Sequence, residues 1–284
     1  MKKLLLLLTV ATAILFVSCK KTTTTDSGST LYSDENLVML KFSPYSIEPM
    51  KRATDITVID RIDMWLCEGS NVYDYHQVKS DAGSQFGTMY LALNKTKTYT
   101  LYAVGHKANG QATLDNGVIS FPDDKVTHSM FYTTSFSPAT SQSLDCQMQR
   151  IVGMLQFVVT DAIPESVDHF EFQISETGTR YNVAGYSVNK VERLHIPSSM
   201  NPGSNGQVAF NVYIMSDNME DTISVDVTVT AKDSNNQPVE ERSFADVPLK
   251  NGWVTKYVGT FFITTQMNIT FSVGDWSNFD DHPY

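Results

Sequence analysis

The chain has 284 residues, with 31 acidic side chains against 21 basic ones and a formal net charge of −10. That balance excludes an ordinary nucleic-acid binder, because phosphate backbones demand clustered Lys and Arg. Hydrophobic residues make up 42%, enough for a large core in one or two domains, and three cysteines are too few for a disulfide-built scaffold.

The first element is an export signal. Met1-Lys2-Lys3 is a positive start, Leu4 to Leu8 an unbroken leucine run, and the apolar stretch continues to Val17 before Ser18-Cys19-Lys20-Lys21. Positive, apolar and small residues in that order make a secretory signal. The run falls short of the roughly 20 apolar residues of a spanning helix, and Thr9 and Thr12 interrupt it. Phe16-Val17-Ser18-Cys19 resembles a bacterial lipobox. The resemblance implies cleavage between Ser18 and Cys19, diacylglyceryl on the Cys19 thiol, and a palmitate-type acyl chain on the new amine. Each buried methylene contributes about 0.8 kcal/mol, so several chains together anchor firmly. A plain signal peptide with an incidental cysteine is the alternative. Residues 1–18 therefore read as signal peptide. Residues 19–34 read as the lipidated cysteine and a flexible tether, since KKTTTTDSGSTLYSD is polar, aperiodic and rich in Thr and Ser.

Short strands follow. They are expected at 36–43, at 56–67 with Ile62, Met64 and Leu66 on one face, at 86–93 and at 98–105. Weaker patterns lie at 126–136 and 143–149. A strong apolar run occupies 151–160, and 167–175 alternates. So do 207–215 and 223–231, the latter with Ile223, Val225, Val227, Val229 and Ala231 on one face. Residues 253–264 and 269–276 close the series. Asp115-Asn116-Gly117, Asn201-Pro202-Gly203, Asp233-Ser234-Asn235-Asn236 and Asn251-Gly252 are turn signals between them. Many short β-branched and aromatic strands predict an all-β protein made of β-sandwiches. With a boundary near Arg150, the domains are 35–149 and 150–284. No short internal repeat is evident.

Catalytic signatures are absent. There is no GxSxG, no P-loop, no GxGxxG and no HExxH. His76, His106, His128, His169, His195 and His282 form no close ligand pair, so neither a metal nor a cofactor is expected. Asp233–Gln237 superficially suggests a calcium loop but lacks its central glycine and distal glutamate, and a hairpin turn explains it. Trp65, Trp253 and Trp276 read as core residues before they read as a sugar platform. Outside the cytoplasm, Cys67 and Cys146 are open to one bridge or to two buried thiols.

Three stretches together resemble the fimbrillin family of Bacteroidales-type bacteria, the FimA/Mfa-like subunits. They are Leu91–Lys95 with Thr98–Gly105, then Gln149–Phe157, and finally Val247–Asn251 with Val258–Phe262 and Asp275-Trp276. The resemblance implies two tandem transthyretin-like (Greek-key) β-sandwiches and no enzyme activity. It also implies export as an outer-membrane lipoprotein and assembly into a surface fimbrium, with strand addition between subunits. Host or bacterial surface molecules would be the adhesion targets. In stalk subunits of the family, cleavage after an arginine removes the first strand. Lys51-Arg52, after the first strand and before the second, is the matching position here. The charged tail from Ser277 to Tyr284 is short for a donor strand, which favours an anchor or accessory subunit. A surface glycan-binding lipoprotein of a nutrient-uptake system is the competing reading.

Overall fold

The computed structural model describes residues 37–46, 59–140, 142–175, 177–188, 194–199, 208–217, 221–263 and 270–275. Ser18, Cys19, the tether, Lys51-Arg52, the turn at 201–203, Trp276 and the tail lie outside them. Apart from single helical turns, such as α1 (Lys79–Ala82), the secondary structure is β. The all-β expectation holds.

The first half contains β1 (Leu37–Ser46), β2 (Arg61–Glu68), β3 (Asn71–Val78), β4 (Met89–Asn94) and β5 (Tyr99–His106). The short strands β6 (Thr113–Asp115) and β7 (Val118–Ser120) precede β8 (Met130–Phe136) and β9 (Gln142–Arg150). Seven of these strands form one sheet in the order β3-β2-β5-β8-β9-β1-β4. Strand alternation sends Ile62, Met64 and Leu66 to one face of β2. There they meet Met89, Leu91 and Leu93 of β4, Leu101 and Ala103 of β5, and Cys146 and Met148 of β9 in one core. The sheet thus closes over itself as a sandwich.

The second half contains β10 (Gly153–Val159), β11 (His169–Ile174), β12 (Arg180–Asn182), β13 (Tyr186–Val188) and β14 (Leu194–Ser199). It continues with β15 (Val208–Ile214), β16 (Ile223–Lys232), β17 (Pro238–Leu249), β18 (Trp253–Gly259) and β19 (Thr270–Asp275). Two four-stranded sheets, β15-β10-β18-β19 and β14-β11-β16-β17, enclose an aromatic core. Phe157 sits at its centre, stacked on Tyr257 at 4.2 Å and edge-on to Phe172 at 5.6 Å. The expected face of Val225, Val227, Val229 and Ala231 is the buried one.

One topology is used twice. β1 is antiparallel to β4 and parallel to β9, while β10 is antiparallel to β15 and parallel to β18. β2 pairs with β3 and β5, and β11 pairs with β14 and β16. The β5–β8 pair corresponds to β16–β17. Among the described residues, β19 and the short strands have no counterpart. The repeat lives in the pairing, where no local sequence pattern records it.

Two turn expectations are met in detail. Asn116 (φ 49°) and Gly117 (φ 77°) join β6 to β7 with the two positive φ values of a type I′ hairpin. Asp233 Oδ1 accepts the N–H groups of Gln237 (2.8 Å) and Asn235 (2.9 Å). The Gln237 bond is the main reason that its carboxyl lies below the ordinary carboxylate range. The segment is a hairpin turn.

Candidate strand-insertion site

β1 lies inside the first sheet, with a hydrogen-bonded neighbour on each side. Against β4 the register runs from Leu37 opposite Asn94 to Phe42 opposite Met89. Against β9 it runs from Leu40 opposite Gln142 to Ser46 opposite Met148. Both flanking strands alternate as half-buried strands should. Met89, Leu91 and Leu93 are buried while Tyr90 and Ala92 are exposed, and Cys146 and Met148 are buried while Ser143 and Asp145 are exposed. Without β1, the inner edges of both flanking strands would lose their backbone partners above an apolar floor that includes Met64 and Leu101. The far end of β4 is pinned separately, because the Asn94 N–H donates to the Tyr99 hydroxyl at 3.0 Å.

β10 holds the equivalent seat in the second half, buried along its whole length. Chain continuity separates the two cases. β10 is joined at both ends to described strands, whereas β1 is the first described strand and is joined to those that follow through residues 47–58, which contain Lys51-Arg52.

The two cysteines are free thiols. Cys146 belongs to the first core, while Cys67 alternates onto the opposite face of β2 from Ile62, Met64 and Leu66, so the sheet itself stands between them. The bridge considered above is not formed. Burial, then the Asp74 carboxylate, pushes the Cys67 thiol up, which keeps it protonated and poorly nucleophilic at neutral pH.

Among the described residues, the histidines do not gather. His106 is buried, its Nε2 2.8 Å from the Asp63 Oδ2, while its Nδ1 accepts the Ala108 N–H at 3.1 Å. That acceptor role places the proton on Nε2, which donates to the carboxylate. Asp63 also accepts the Ala112 N–H at 2.7 Å and the Arg61 Nε–H at 2.8 Å, so this pair shapes the chain around residues 107–112. His128 is fully buried against the Tyr213 ring at 6.0 Å. His76 and His169 lie on β3 and β11. Among the described residues, no group of three or more His, Cys, Asp and Glu is placed to hold a metal. Of the tryptophans, Trp65 is buried, whereas Trp253 is 37% exposed beneath the Lys250 ammonium at 5.3 Å. They make no shared platform.

One anchoring residue gave no sequence signal. The buried Asp161 carboxylate accepts the N–H groups of Phe261 (2.8 Å), Phe262 (2.7 Å) and Ile263 (2.9 Å). Arg242 caps the same segment by donating Nε–H and Nη2–H to the Phe261 carbonyl. These contacts end β18 at Gly259, five residues before the expected end of that strand.

The family model for fimbrillin-A associated anchor proteins Mfa1 and Mfa2 matches residues 32–278. Among solved structures, a candidate adhesin of Bacteroides thetaiotaomicron superposes with a TM-score of 0.52 at 12% identity, over 84% of this chain and 96% of that one. Candidate polysaccharide-binding proteins of the same organism superpose with a TM-score of 0.50 at 10% identity, over 84% and 98%. The fimbrial anchor protein Mfa2 of Porphyromonas gingivalis is matched over 84% and 98%, at 12% identity and a TM-score of 0.45. Among curated proteins, none matches this chain.

Proposed function

Because the chain belongs to the family of fimbrillin-A associated anchor proteins Mfa1 and Mfa2, we propose that it is an anchor or accessory subunit of a surface fimbrium, held in the outer membrane by lipid on Cys19 and joined to other subunits by strand addition. The family is one of fimbrial anchor proteins, not of enzymes.

The observation that carries the proposal is the seat of β1. This strand has a ladder on both sides, and residues 47–58 join it to the described strands that follow. A cut after Arg52 would release lipid, tether and β1 together. The vacated seat would present unpaired backbone and apolar surface, which an extended strand from a neighbouring subunit restores in one step. Without the cut, the seat stays filled and Cys19 is the permanent foot. The first arrangement suits a subunit inside a fibre, the second an anchor, and the family favours the second. The division into domains 35–149 and 150–284 is part of the same proposal, supported by the pairing pattern that restarts at β10.

Intact mass of the protein taken from fibre-bearing outer membranes tests this. The anchor reading expects an acylated N-terminus at Cys19. An N-terminus at Ala53 replaces it with the processed subunit, and an unacylated Cys19 refutes the lipid foot. Trp253, with its exposed ring, keeps the glycan-binding reading in view. A deletion strain with intact fibres and lost polysaccharide binding would make that reading the better one.

A further inference from the structure

We propose that the two sandwiches are coupled by a dedicated clasp, built from two hairpins that each half carries where the other half has only a tight turn. The β6–β7 hairpin lies in the β5–β8 connection, whose counterpart between β16 and β17 is the short turn at 233–237. The β12–β13 hairpin lies in the β11–β14 connection, whose counterpart between β2 and β3 is the pair Gly69-Ser70. Neither insertion is needed to complete the sandwich that carries it, because the other half completes the same topology without one.

The two insertions meet each other. β7 pairs with β12, with Arg180 opposite Ser120, Tyr181 opposite Ile119 and Asn182 opposite Val118, giving an antiparallel sheet shared by both halves in the order β13-β12-β7-β6. The Val183 N–H donates to the Gly117 carbonyl at 2.9 Å, and Arg180 pairs with Asp124 at 3.3 Å across the same seam. The Tyr181 ring rests on Phe131 at 5.0 Å. Beneath the shared sheet is a third core. It joins Trp65 and Val104, on the outer face of the first sandwich, to Met154, Met215 and Val254 of the second, with Ile119 and Phe121 packed between. Asp63 holds the approach to β6 through the Ala112 N–H.

Such a seam makes the halves one cooperative body, since opening either one exposes apolar surface shared with the other. Force applied to one sandwich is then carried by both.

Equilibrium urea unfolding of the full mature chain, followed residue by residue through amide hydrogen exchange, reads this directly. The wild type is expected to lose protection in β5 and β16 at one shared midpoint. Replacing residues 113–120 by a Gly-Ser link, combined with Tyr181→Ala, is expected to split the transition in two. Two midpoints in the wild type, or one retained in the variant, would overturn the clasp. Should the deletion not fold, Ile119→Cys with Tyr181→Cys serves instead. Oxidation across the β7–β12 pair should raise the midpoints of both halves together, and a rise confined to one half would refute the proposal.

Discussion

The two halves use the same strand order around different materials. Among the described residues, the first core draws on Met64, Met89, Met130, Met148 and Cys146, with Tyr99 as its buried ring. Among those same residues, the second core contains no methionine and is built around Phe157, Phe170, Phe172, Phe210, Phe244, Tyr257 and Phe261. Aromatic rings interlock with specific geometry and fix one arrangement. Thioether side chains are unbranched and polarisable and fit gaps of irregular shape. The rigid core surrounds β10, a strand that cannot leave. The adaptable core lies under β1. Under the strand-addition proposal, composition at equal topology separates a sandwich that stays closed from one that accepts a new occupant.

The contrast can be broken or sharpened by experiment. The largest effect is expected at Phe157, stacked on Tyr257 and edge-on to Phe172, Phe244 and Phe261. Phe157→Ala should cost about 3–5 kcal/mol in urea denaturation, and a cost near that of a surface change would dissolve the contrast. A smaller effect comes from pH at His128, where the halves meet. Burial first, then the Arg150 and Lys107 charges, holds this imidazole well below its ordinary 6.5. The unfolded chain takes up that proton more readily, so stability is full above pH 6.5 and declines as pH falls below it, by at most about 1.4 kcal/mol per pH unit. His128→Gln should flatten this slope, and an unchanged slope would assign it to other groups. The smallest effect is expected at Met148. Met148→Leu conserves volume in the pliable core and should cost under about 1.5 kcal/mol. A larger loss in the same denaturation assay would show that the first core is as exacting as the second.

Local alternation made much of this legible. The inward faces of β2 and β16 were readable because a strand buried on one side must alternate. β3, β14 and β17 were not anticipated. Each ends its sheet, and β3 and β17 carry polar and charged residues, with Pro238 and Pro248 in β17, as edge strands tolerate. The hairpins of the clasp escaped notice because three-residue strands leave almost no periodic trace, although Asn116-Gly117 marked one turn. The candidate site was legible only in its parts. β1 and Lys51-Arg52 could be named from the sequence, but the seat depends on pairing with residues far along the chain. Asp161 gave no signal, since a carboxylate that receives three backbone N–H groups looks locally like any other loop aspartate.

The register of β1 also sets a timetable. Leu40 pairs with Gln142, about a hundred residues downstream, and its neighbour on the other side, Leu91, comes about fifty residues later in the chain. This strand therefore waits, satisfied on one edge at most, until the last strand of its own sheet has been made. Contacts this distant form slowly. During that interval β1 is an adhesive ribbon among other newly made chains, and the delay itself becomes a hazard of folding.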